Sequence, residues 1–176
     1  MRKLRWIAGL LLALLLPACG SSTPTTPATP APTPTPCTQT TLVQVDGSVG
    51  AFNLARAPAF SVSTAGRLDI TVDWTFATSP IGVYLVTAGA CSIDQFNAET
   101  CTFLARSETT TKPRKISVAN TAAGNYELLV ANFGTQDESI SGQVVLSSST
   151  CPAFASAARE ASARGFSGRL SESTFH

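Results

Sequence analysis

Apolar and polar residues alternate strictly along "RLDITVDWTF". Leu68, Ile70, Val72, Trp74 and Phe76 fall on one side of an extended chain, and Asp69, Thr71, Asp73 and Thr75 on the other. Successive side chains of a strand point to opposite faces, so this period of two predicts a half-buried strand and not a helix. The same reading marks "TLVQVDG", "FNLARAPAFSVS", "IGVYLVTAG", "TCTFLARSE", "KISVAN", "NYELLVANF" and "SISGQVVLSS" as strands, separated by Gly, Pro, Asn and Thr clusters. About eight strands at short spacing, with no helical period between them, predict an all-β fold: an antiparallel β-sandwich or jelly roll. The predicted domain is 37–151, and about 115 residues are enough for one core.

The pattern changes on both sides of that domain. Met1 to Trp6 carry Arg2, Lys3 and Arg5, and "IAGLLLALLL" then runs without a charge to Pro17. A basic start and a short apolar run predict a secretory signal peptide over 1–18. The apolar run is about 10 residues, against roughly 20 needed to span a bilayer. Next comes "GSSTPTTPATPAPTPTP", which has no apolar face to bury and predicts an extended, polyproline-rich linker within 19–36. About 17 residues at about 3.1 Å each reach up to roughly 50 Å. In the tail, 152–176, "FASAAREASAR" predicts a short helix stopped by Gly165, and "FSGRLSESTFH" predicts no ordered element.

Where signal and linker meet stands "LPAC", which resembles a bacterial lipobox through Leu16, Ala18 and Cys19; Pro17 departs from its usual small residue. The resemblance implies cleavage before Cys19, a diacylglyceryl group on its thiol and acylation of the new amine. Two or three acyl chains give stable anchoring where one gives marginal binding, so the implied partner is a membrane. Setting Cys19 aside leaves Cys37, Cys91, Cys101 and Cys151, an even number in an exported chain, which predicts a disulfide framework. Of three connectivities the expected one is Cys91–Cys101, closing one loop, with Cys37–Cys151 tying the domain ends. The longer closure, about 115 residues, is worth about 4 to 5 kcal/mol in chain-entropy models. No C-x-x-C or His–Cys spacing points to zinc.

Loss of Arg2, Lys3 and Arg5 takes Lys plus Arg from 12 to 9 against 11 acidic residues, a net charge of −2. That offers no footprint for nucleic acid. "KPRK", Lys112 to Lys115, reads as a solvated turn between strands. The single histidine, His176, is the last residue in the sequence, where no packed shell orients an imidazole for nucleophilic catalysis. Lys112 and Lys115 complete no S-x-x-K motif. Asp69 and Asp73 lie about 13 Å apart along one strand, whereas glycosidase carboxylates sit at about 5 to 9.5 Å. The reading is therefore non-enzymatic, with no catalytic residue, no cofactor and no metal. Asp69, Asp73, Asp137 and Glu138 are the acidic candidates for a surface calcium site, although calcium needs six to eight oxygens.

The aromatic residues address ligand binding. Trp74 and Tyr126 share phase with apolar neighbours and are expected in the core, the Tyr126 hydroxyl reaching a polar partner. If Val83 and Leu85 face inward, Tyr84 faces outward. The "CSIDQFNAETC" excursion carries Ile93 and Phe96 between two strands, and loops at sandwich ends often carry recognition. Tyr84 and Phe96 are the candidate ligand contacts. A glycan-binding module predicts an exposed cluster of Tyr84, Phe96 and Phe133.

"GRLDITVDW", "IGVYLV" and "AAGNYELLVANFG" together resemble the bacterial pre-peptidase C-terminal domain over roughly Phe52 to Leu146. Gly124, Tyr126 and Val130 match one strand of that family, and Val83, Tyr84 and Leu85 another; Gly82 stands where it often has aspartate. The resemblance implies a non-catalytic β-sandwich that accompanies secreted enzymes. The expected function is a lipid-anchored envelope lipoprotein presenting a binding or structural module, on the bacterial outer membrane or cell surface, or facing the periplasm. Its expected partner is an envelope protein or an extracellular glycan or protein. The rivals are a surface adhesin or glycan-binding module and, last, an envelope hydrolase.

Overall fold

A computed structural model describes residues 36–152 and 168–175 of the chain. The signal peptide, Cys19, nearly all of the linker, the helix expected in "FASAAREASAR" and His176 lie outside the described residues.

Among the described residues, ten strands and one short helix follow in order: β1 Gln39–Val49, β2 Asn53–Arg56, β3 Phe60–Val62, β4 Gly66–Trp74, β5 Ile81–Thr87, α1 Ile93–Asn97, β6 Ala105–Thr109, β7 Arg114–Thr121, β8 Gly124–Asn132, β9 Glu138–Ser147 and β10 Ser171–Thr174. They form two sheets. The first has the order β1-β9-β4-β7; the second runs β10-β2-β8-β5-β6, with β3 also paired to β8. Pairing is antiparallel except for β10, which lies parallel to β2. The fold is an all-β sandwich.

The main core lies between the sheets. Leu68, Ile70, Val72 and Trp74 of β4, with Val45, Val49, Ile116 and Val144, meet Val83 and Leu85 of β5, Leu128 and Val130 of β8, and Phe60. The alternation of β4 ends at Trp74. Phe76, expected on the buried side, lies past the strand end and is 45% exposed. Tyr126 is buried at the start of β8 and its hydroxyl donates to Ala122 O at 2.8 Å. This is the tyrosine-corner arrangement of sandwich domains, in which a ring packs inside and its hydroxyl ties down the preceding turn.

Three expectations need correction. "FNLARAPAFSVS" forms two strands because Pro58 lacks the N–H a ladder requires. "TCTFLARSE" is a strand only from Ala105, since Cys101 and Phe103 belong to a local excursion that also contains α1. The end of the tail is ordered, with Leu170 buried and Ser171–Thr174 forming β10, because the β2 edge offers unpaired backbone groups.

Candidate functional site

Both expected disulfides form. Cys37–Cys151 joins the chain before β1 to the chain after β9, with 4.7 Å between Cα atoms. Cys91–Cys101 closes the excursion between β5 and β6, with 5.3 Å between Cα atoms.

Within that excursion Ser92 caps α1. Its hydroxyl accepts from Gln95 N at 3.2 Å, and Gln95 Oε1 accepts from Ser92 N at 2.8 Å. This reciprocal box satisfies two donors that a short helix leaves open. The helix lies on the outer face of the second sheet. Phe96 meets Tyr84 edge-on at 4.9 Å between ring centroids, and Phe103 stands 4.9 Å from Tyr84. Leu54, Val86, Leu129, Ala131, Phe133 and Leu170 complete a second small core.

That core overturns the expected ligand platform. Tyr84 does point away from the main core, as the phase of β5 requires, but its own excursion covers it. Tyr84 and Phe96 are both 0% exposed, and Phe133 is buried. The Tyr84 hydroxyl donates to Glu108 Oε1 at 2.8 Å. Its ring lies over Gly82, where an added Cβ would come within 2.8 Å of three Tyr84 atoms. Position 82 is therefore glycine for a steric reason, and an aspartate there would collide with the ring.

The acidic candidates disperse. Asp69 and Asp73 share one face of β4 but have different partners. The Asp69 carboxylate is buried and receives Arg67 Nε at 3.0 Å on both oxygens, Ser117 Oγ at 2.6 Å and Ser147 Oγ at 2.7 Å. Arg67 also donates to Cys151 O and Pro152 O, each at 2.8 Å, strapping the chain beyond the disulfide to the sheet. Burial pushes the Asp69 carboxyl up, but hydrogen bonds from Arg67, Ser117 and Ser147 and the Arg67 charge outweigh it, leaving it below the ordinary aspartate value. The polar face of β4 is thus not uniformly solvated: alternation predicted its phase and missed this buried network.

Asp73 pairs with Lys112 Nζ at 3.0 Å. Lys112 also donates to Trp74 O and sits 5.9 Å from the Trp74 ring centroid. Arg114 is buried at the start of β7, so "KPRK" is not simply a solvated turn. At the same end Asp137 Oδ1 accepts from Ala51 N at 2.8 Å, while buried Glu138 accepts from Phe76 N at 3.0 Å and from Ser79 Oγ. Among the described residues, no three His, Cys, Asp or Glu side chains gather as metal ligands would.

Sequence reasoning also missed a junction at Arg56. Arg56 donates from Nε to Glu172 Oε1 at 2.5 Å, from one terminal nitrogen to Glu127 Oε2 at 3.2 Å and from the other to Cys91 O at 2.5 Å. It joins β2, β8, β10 and the disulfide-closed excursion. The only signal in the sequence was an arginine inside an otherwise apolar strand segment.

No protein-family model matches the chain, and no curated protein matches it in sequence. Among solved structures, the pre-peptidase C-terminal domain of a collagenase from Bacillus anthracis is 17% identical, with a TM-score of 0.44 over 58% of this chain and 88% of that one. The Yersinia pseudotuberculosis-derived mitogen is 9% identical, with a TM-score of 0.42 over 64% of this chain and 97% of that one. Neither likeness carries a residue role over to this chain.

Proposed function

We propose that the chain is an envelope lipoprotein, held to a membrane by acyl groups on Cys19 and presenting a non-catalytic β-sandwich as a binding or structural module. The observation that carries this reading is cysteine pairing. Four of the five cysteines bond to each other, and the one left over is the cysteine of "LPAC". In sequence the Thr/Pro linker ends at Cys37, two residues before β1.

Mass spectrometry of the N-terminal peptide from membrane-extracted protein tests the anchor. The expected product begins at Cys19 and carries a diacylglyceryl thioether. A free thiol, or a chain still holding residues 1–18, overturns it. Protease treatment of intact cells, beside a Cys19→Ala control, then reads the side. Cleavage in intact cells means a surface module, and protection until the outer membrane is opened means a periplasmic one.

One observation favours recognition over a purely structural role. Phe52 and Phe76 are 43% and 45% exposed, and both follow strand ends remote from Cys37. Phe52 also holds a left-handed φ of 52°, a conformation uncommon outside glycine. Loss of binding to envelope extracts or glycans in a Phe52→Ser/Phe76→Ser chain, with unfolding unchanged, supports this tip as the contact. Unchanged binding removes it.

A further inference from the structure

Among the described strands, β10 alone joins its sheet by parallel pairing. It begins 19 positions after Pro152, beyond the point where Cys37–Cys151 has clasped the sandwich shut. It touches a sheet along one side only, pairing four residues in parallel with β2: Ser171 with Asn53 through Thr174 with Arg56. Its remaining contacts have the character of side-chain recognition. Asn97 grips the Leu170 backbone at both ends, Nδ2 donating to Leu170 O and Oδ1 accepting from Leu170 N, each at 2.9 Å. Leu170 is buried in the second core beside Phe96 and Phe133. Arg56 pairs with Glu172, and Phe175 packs against the main core.

These are the parts of a strand-addition site: an edge for main-chain bonding, a pocket for an apolar residue and a charge that sets register. The side chains that hydrogen-bond to this segment, Asn97 and Arg56, lie at least 73 residues away along the chain. Nothing in the contacts depends on which copy supplies the strand.

We infer that the β2 edge takes β10 from a second copy of this chain, giving a reciprocal strand-exchanged dimer. The occupant's chemistry is fixed by identity, because the segment Leu170–Phe175 of one copy presents the same leucine, glutamate and phenylalanine as that of another. Exchange of an identical element reuses contacts already present in the monomer and so costs little beyond association. The inference does not depend on the N-terminal anchor.

Light scattering of the exported chain carrying Cys19→Ala, which keeps acyl groups out of the measurement, tests it over a hundredfold range of concentration. The expected mass rises from one copy toward two, while a chain ending at Gly168 stays at one. A full chain that remains single throughout, or a shortened chain that pairs equally well, overturns the inference. Charge reversal separates exchange from a merely structural role of Arg56. Glu172→Arg and Arg56→Glu each weaken the dimer alone. Mixed in equal amounts they recover it, since each edge then meets a strand of opposite charge. Folded variants that do not recover the dimer on mixing also overturn it. If Arg56→Glu disturbs its own sheet, the concentration series decides.

Discussion

The two sheets bury the same kind of inner face and differ on the outer one. Across the first sheet Gln44, Asp46, Ser48, Ser139, Ser141 and Gln143 are exposed, so its strands alternate. Across the second, α1, Phe103 and Leu170 cover the outer face. Strand β5 is accordingly buried from Ile81 to Val86, its side chains entering the main core and the second core in turn. A strand covered on both faces reads as an apolar run, and one covered on a single face as an alternation. "IGVYLV" and "RLDITVDW" differ for this reason.

The sharpest way to break the contrast is to empty the second core. Phe96→Ala is expected to cost about 3 to 5 kcal/mol, the usual range for an aromatic truncated in a packed core, read as a lower denaturation midpoint at constant slope. A loss under 1 kcal/mol would mean that the cover is not a core at all.

Asp69 is the exception on the first sheet, a carboxylate buried on the outward side. Asp69→Ala leaves the Arg67 guanidinium without its ion-pair partner and is expected to cost about 3 kcal/mol. The sign of its pH dependence follows from its lowered titration. The folded state binds the Asp69 proton more weakly than the unfolded chain does, so the stabilisation is present at neutral pH and is lost below about pH 4. An Asp69→Asn chain should show a flatter acid limb in thermal scans; parallel limbs would reject the assignment.

Replacing both Cys91 and Cys101 by serine opens a short loop and is expected to cost about 2.5 to 3 kcal/mol. Hydrogen exchange should localise the loss to the outer face of the second sheet; protection lost equally in β1 and β9 would contradict an independent cover. Gly82→Ala presses a methyl group into the Tyr84 ring, with an expected cost of about 1 to 3 kcal/mol. A neutral result would show that the ring yields. Thr71→Ala, on the uncovered side of β4, should change the unfolding free energy by less than about 0.5 kcal/mol, and a larger shift would mean that this face too is covered.

Much of this was legible in the chain. The eight strand segments come from local periodicity, and the cysteine count came out even once Cys19 was set apart. Trp74 and Tyr126 were readable as core because their phase matched neighbouring aliphatics. Tyr84 shows where legibility stops. Its outward phase was correct, yet phase says nothing about what lies above a sheet face. The covering groups, Phe96 and Phe103, belong to a segment with no period of its own. Likewise "LSEST" has too few apolar residues to announce a strand, and becomes one only because the β2 edge supplies the hydrogen bonds.

The sequence by itself determined which side chains share a face, because a strand's period is a property of its own backbone. It also determined that the cysteines outside "LPAC" form an even set. Only the tertiary structure decided which faces stay open. Covering a face takes a second segment from elsewhere in the chain, and the free energy of that contact belongs to the pair of surfaces rather than to either stretch of sequence. Tyr84 is buried under α1 and Asp69 under Arg67 for that one reason, although local pattern alone assigns both to the outside.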